Sequence, residues 1–162
     1  LPFELASYPC RHIEQGYLCT EPVVRIRRQD QEYFLTYKSK GLLAREEYNL
    51  PLNQDAYNHL KEKADGIVLS KTRYLLPEKE GLVIELDLFE APYQELTLAE
   101  VEFESEEAAL AYQPPSWFGE EVTYSSRYHN STLSFIIFSF FYIFWPGPIS
   151  RKTIFAPAMY CI

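Results

Sequence analysis

Apolar and polar residues alternate with a two-residue period through most of the first 124 positions of the chain. Segments 13–18, 23–28, 33–38, 45–50, 67–74, 82–89, 98–104 and 120–124 read as strands, because each is rich in β-branched and aromatic residues. Short polar stretches such as 29–31 and 39–43 separate several of them, which suits antiparallel neighbours joined by tight turns. Twice the period changes. Asn53 is placed to cap a helix over 54–63, with Gly66 beyond its end, and Ser105 to cap a helix over 106–112 that Pro114 stops. The expected fold is mainly β with α, an α+β chain whose meandering strands form an antiparallel barrel with helices covering its outer faces.

Charge is superimposed on this alternation, and its sign changes once along the chain. Arg25 and Arg27, Lys38 and Lys40, and Lys71 and Arg73 come first; Glu85 and Asp87, then Glu100, Glu102 and Glu104, follow. Side chains two apart on a strand share a face, so each segment presents charge on one side and apolar partners such as Ile26, Leu86 and Val101 on the other. A barrel with an oily interior and a salty exterior would also alternate. Its solvated face would mix signs, however, because like charges side by side in a sheet repel. Segregated sign points instead to a channel for a polyanion and its metal ions.

The 162 residues suit one domain. With 15 basic and 23 acidic residues the net charge is -8, which argues against nucleic acid as a partner, since that needs an excess of Lys and Arg to displace counterions. The acids are concentrated late: 13 lie between positions 78 and 121, where Lys79 is the sole base. Such a block suits hard divalent ions with oxygen ligands. Cys10, Cys19 and Cys161 are odd in number and show no CxxC spacing, so reduced thiols and a cytoplasmic setting are expected rather than a disulfide framework or a zinc site. His12, His59 and His129 are scattered without ligand spacing. The opening residues carry no basic leader. Near the other end, 135–145 is a dense aromatic and aliphatic run, shorter than the roughly 20 residues a bilayer-spanning helix needs. No transmembrane span is expected there; the run reads as an extra strand, an interfacial segment, or a terminal stretch without a selected role. The division expected is a domain over 1–134 and an apolar tail over 135–162.

Read together, Ile13-Glu14-Gln15-Gly16-Tyr17-Leu18, Val24-Arg25-Ile26-Arg27, Leu35-Thr36-Tyr37-Lys38, Arg45-Glu46-Glu47, Lys71-Thr72-Arg73-Tyr74, Ile84-Glu85-Leu86-Asp87-Leu88-Phe89, Leu98-Ala99-Glu100-Val101-Glu102-Phe103 and Glu121-Val122-Thr123, with Tyr128 and Asn130 after them, resemble in order the CYTH domain of triphosphate tunnel metalloenzymes. Any one of these motifs is weak; their order and spacing are specific. The resemblance implies an eight-stranded antiparallel tunnel that hydrolyses inorganic triphosphate, thiamine triphosphate or a related small molecule, with a class of adenylyl cyclases among its relatives. It implies that Arg25, Arg27, Lys38 and Arg73 hold phosphate oxygens, with Lys71 a further candidate. Lys38, Arg73 and Glu47 would take part in catalysis. Asp87, Glu100 and Glu102, with Glu85 beside them, would hold Mg²⁺ or Mn²⁺. A homodimer remains open.

Two departures from the family pattern stand out. Asn49 occupies the position where a second tunnel glutamate is usual. The E-x-E-x-K triplet of the family's first strand, which supplies two metal ligands and a phosphate-binding lysine, occurs at no suitable place, and Leu1-Pro2 looks like the turn that follows it. The expectation is a barrel short of that strand, and a chain weak or inactive in hydrolysis even where its full-length parent is an enzyme. A module that binds triphosphate or nucleotide without turnover is the alternative.

Overall fold

The computed structural model describes residues 2–39 and 46–135, and the backbone of 152–159. Eight strands form one sheet: β1 (Cys10–Thr20), β2 (Val23–Gln29), β3 (Glu32–Lys38), β4 (Glu47–Leu52), β5 (Asp65–Pro77), β6 (Val83–Phe89), β7 (Leu96–Phe103) and β8 (Lys152–Met159). Their order is β4-β3-β2-β1-β5-β6-β7-β8, so β4 and β8 are its two edges. The first seven pair antiparallel with their neighbours. β8 joins β7 in parallel, with Glu100 opposite Ala156 and Glu102 opposite Ala158. The mainly β class with helices on the outside is therefore as the sequence reads.

Both predicted helices form. In α1 (Gln54–Lys61) Asn53 accepts from the Ala56 amide, and in α2 (Glu106–Ala111) Ser105 accepts from the Ala108 amide, so each cap satisfies one of the orphan donors of a helix start. α1 lies over β2 and β3, with Tyr57 buried against Tyr33. α2 and the opening residues cover the outer face of β6 and β7, where Leu76, Ile84, Leu86, Ala99, Val101 and Phe103 form a core. A short helix, α3 (Asn130–Leu133), ends the segment.

Among the described residues the strands form one row from β4 to β8 and do not close into the antiparallel barrel expected from the sequence. Segment 120–124 is not a strand; its alternation is met by burying Val122 in a second core, with Leu69, Phe89, Tyr93, Leu98 and Leu133. β8 falls within the segment read as a tail. The apolar run 136–145 and Arg45 lie outside the described residues. Among the described residues no helix is long and apolar enough to cross a membrane.

Candidate functional site

Cross-strand register carries one face of the sheet through all its antiparallel strands. Asn49 lies opposite Thr36, Thr36 opposite Arg25, and Arg25 opposite Tyr17. Ile13 lies opposite Lys71, Arg73 opposite Asp87, and Glu85 opposite Glu100. Partners directly opposite share a face, as do side chains two apart on a strand, so among the described residues Arg25, Arg27, Lys38, Glu47, Lys71, Arg73, Glu85, Asp87, Glu100 and Glu102 belong to the same surface. Much of that surface is buried, although Asn49 and Glu102 on it are exposed. Lys71 and Asp87 are fully buried, Lys38 is 3% exposed, Arg25 5% and Arg73 7%. Long charged side chains are almost never buried unless they are paired. One end of the face is closed by the apolar cluster of Leu69, Phe89 and Leu98 beneath Val122 and Leu133.

At the β2–β4 end the cations meet Glu47. Lys38 makes an ion pair with its Oε2, and Arg25 Nη2 lies 3.7 Å from its Oε1. Burial works against the charged form of Glu47, but Lys38, then Arg25 and Asn49, overcome it and hold its pKa below the usual carboxylate range. Arg25 also donates to Gln15 Oε1 at 3.5 Å, and Gln15 donates to the Tyr17 hydroxyl at 3.4 Å. Arg27 is half-buried two positions further along β2.

The β5–β7 end is denser. Arg73 donates from Nε and Nη2 to the two oxygens of Asp87, each at 2.7 Å, and from Nη2 to Glu100 at 2.9 Å, while Nη1 pairs with Glu85. Lys71 pairs with Asp87 from behind, its ammonium 5.2 Å from the centre of the Phe89 ring. Burial would raise the Asp87 pKa, yet Arg73 and Lys71 together pull it down to about 2. Burial pushes Lys71 down to about 8, against the pull of Asp87. Glu102 has its carboxyl pushed up to about 7 by desolvation and by Glu85, with Glu100 adding to it.

Each predicted site residue described above thus falls on this face. The proposed phosphate-binding and metal-binding groups are not kept apart: Arg73 gathers Glu85, Asp87 and Glu100 around itself. Among the described residues no three His, Cys, Asp or Glu side chains are arranged as a ready metal cage. The donor set nevertheless fits a hard divalent ion, because three carboxylates already converge on one cationic centre and a fourth, Glu102, is crowded by negative charge. Gln15, Tyr17 and Thr36, all buried on the same face, went unnoticed in the sequence because a pattern of charge sign does not mark uncharged polar groups.

Residues 10–136 match the CYTH domain. The chain belongs to the CYTH domain family. An inorganic triphosphatase of Nitrosomonas europaea is 43% identical over 137 residues, covering 83% of this chain and 89% of that protein. An inorganic triphosphatase of Acetivibrio thermocellus is 35% identical over 124 residues, covering 74% and 77%. The crystal structure of an inorganic triphosphatase superposes with a TM-score of 0.65 at 38% identity, covering 85% of this chain and 89% of that one. CYTH membership accounts for the order of the motifs along the sheet.

Proposed function

We propose that this protein is a metal-dependent hydrolase of triphosphate compounds, with inorganic triphosphate the first substrate to try and thiamine triphosphate the second. The observation that carries the reading is the single sheet face on which buried Arg25, Lys38 and Arg73 stand beside a bank of carboxylates. The two inorganic triphosphatases among its CYTH relatives support it. A triphosphate is a dense polyanion, and a site that strips its water must replace hydration with fixed positive charge. Arg25 and Arg27 offer planar forks suited to paired oxygens, Lys38 offers a compact movable charge, and Arg73, gripped by Asp87, Glu85 and Glu100, adds positive charge beside them. Glu47 holds Arg25 and Lys38 in place before the polyanion arrives. Asp87 orients Arg73, and Lys71 sits beneath as the counter-charge of Asp87.

Asp87, Glu100 and Glu102, with Glu85, are the side chains that would hold Mg²⁺ or Mn²⁺. Such an ion, when bound, neutralises phosphate charge and lowers the pKa of a water so that it can attack phosphorus. The test is release of phosphate from tripolyphosphate with the chain in excess, so that a weak single turnover is seen. Release with Mg²⁺ or Mn²⁺ that EDTA abolishes is the expected result. Saturable binding without release under either ion would overturn hydrolysis in favour of a second reading, a triphosphate-binding module. The engagement of three carboxylates by Arg73 is what favours that second reading.

A further inference from the structure

Asn49 is exposed on the edge strand β4, yet its amide is held from both sides. The Thr36 hydroxyl, on a residue with no exposed surface, donates to Asn49 Oδ1 at 2.6 Å, and Asn49 Nδ2 donates to Glu47 Oε1 at 3.2 Å. A carboxylate only accepts, so the amide nitrogen must be the end that faces Glu47, and the oxygen then faces Thr36. Glu47 in turn meets Arg25 through the same Oε1 and Lys38 through Oε2.

We propose that Asn49 and Thr36 form a positioning pair that keeps the Glu47 carboxylate seated between Arg25 and Lys38, so that the two cations stay ordered while no polyanion is bound. The consequence for binding rests on the triphosphate reading; the positioning itself does not. The groups that meet Glu47 are Lys38 from β3, Arg25 from β2 and Asn49 on its own strand, with Thr36 of β3 behind Asn49. A glutamate in place of Asn49 would add a like charge two residues along the same face and repel Glu47. The neutral amide donates to it instead. Glu47 is therefore a competitor for the clamp cations that a polyanion must displace, and the amide strengthens it.

Two readouts test the pair in the full chain. Titration of Glu47 by carbon NMR of its carboxyl is expected to shift upward by about half to one pH unit in Asn49→Ala, since a donor to the charged form is lost. Thr36→Val, which releases the amide to turn, is expected to shift it in the same direction by less. Calorimetric titration with tripolyphosphate, without metal, is then expected to show tighter binding in Asn49→Ala than in the parent at mildly acidic pH. In a Glu47→Gln background the same substitution should change nothing. An unmoved Glu47 titration in Asn49→Ala, or an Asn49→Ala effect of equal size in the Glu47→Gln background, would overturn the pair. A moved titration in a chain that binds no tripolyphosphate would leave the pair standing and remove the triphosphate reading.

Discussion

Every nitrogen of the Arg73 guanidinium meets a carboxylate oxygen, from Asp87 twice and from Glu85 and Glu100 once each. Such a network is costly to break on one side, because the groups left behind are buried charges without a counter-charge. Asp87→Ala strands Lys71, leaves Arg73 held by Glu85 and Glu100 alone, and is expected to destabilise the chain by about 3–5 kcal/mol. A urea midpoint that stays at the parent value would show that the network contributes no stability. Arg73→Lys is not a mild change either. One ammonium cannot reach three carboxylates with a fork's geometry, so loss of most triphosphate affinity is expected by calorimetry.

The strands and helices show where local sequence was sufficient and where it was not. Asn53 and Ser105 marked helix starts, and both cap as expected; β-branched alternation marked seven strands. By contrast, 120–124 alternates like a strand but packs as a loop, since only the neighbouring Leu69, Phe89 and Leu133 decide where Val122 is buried. The pairing of β8 with β7 is equally non-local. Two contacts fix helices and floor on the sheet. Tyr57 and Lys61 of α1 donate to Glu14 of β1 at 2.8 and 2.6 Å. Burial opposes the charge on Glu14, but Lys61 and Tyr57 outweigh it and lower its pKa. A carboxylate depressed on folding adds stability above its unfolded pKa and loses it as pH falls through the folded one. Thermal melting should therefore fall less steeply below about pH 4.5 in Glu14→Gln than in the parent; parallel curves would discard that role. At the floor, Gly66 has φ +69°, and a Cβ there would lie 2.2 Å from the Ser134 carbonyl that accepts from Ile67. Gly66→Ala is expected to cost more than about 1 kcal/mol by urea unfolding, and a neutral result would mean that the 133–134 backbone moves aside freely.

For the molecule as a whole, the single change of charge sign along the sequence becomes two ends of one sheet face. Arg25 and Lys38 around Glu47 make one end; Arg73 among Glu85, Asp87 and Glu100 makes the other. Charge patterning carried this far because alternation assigns a face and register carries that face from strand to strand. It stopped short of Gln15, Tyr17, Thr36 and the role of Asn49, which are neutral and become legible only once β1 to β4 are side by side. Nor did it show that the carboxylates close on Arg73, since pairing across β5, β6 and β7 depends on distances between strands. The most direct test of the whole arrangement is calorimetric titration of the chain with tripolyphosphate, in parallel with the Arg25→Ala plus Arg27→Ala variant. One saturable site in the parent, lost in the double variant while its melting temperature is kept, is the result expected. No binding by the folded parent, or binding that the loss of both arginines leaves untouched, would contradict a triphosphate clamp on this face.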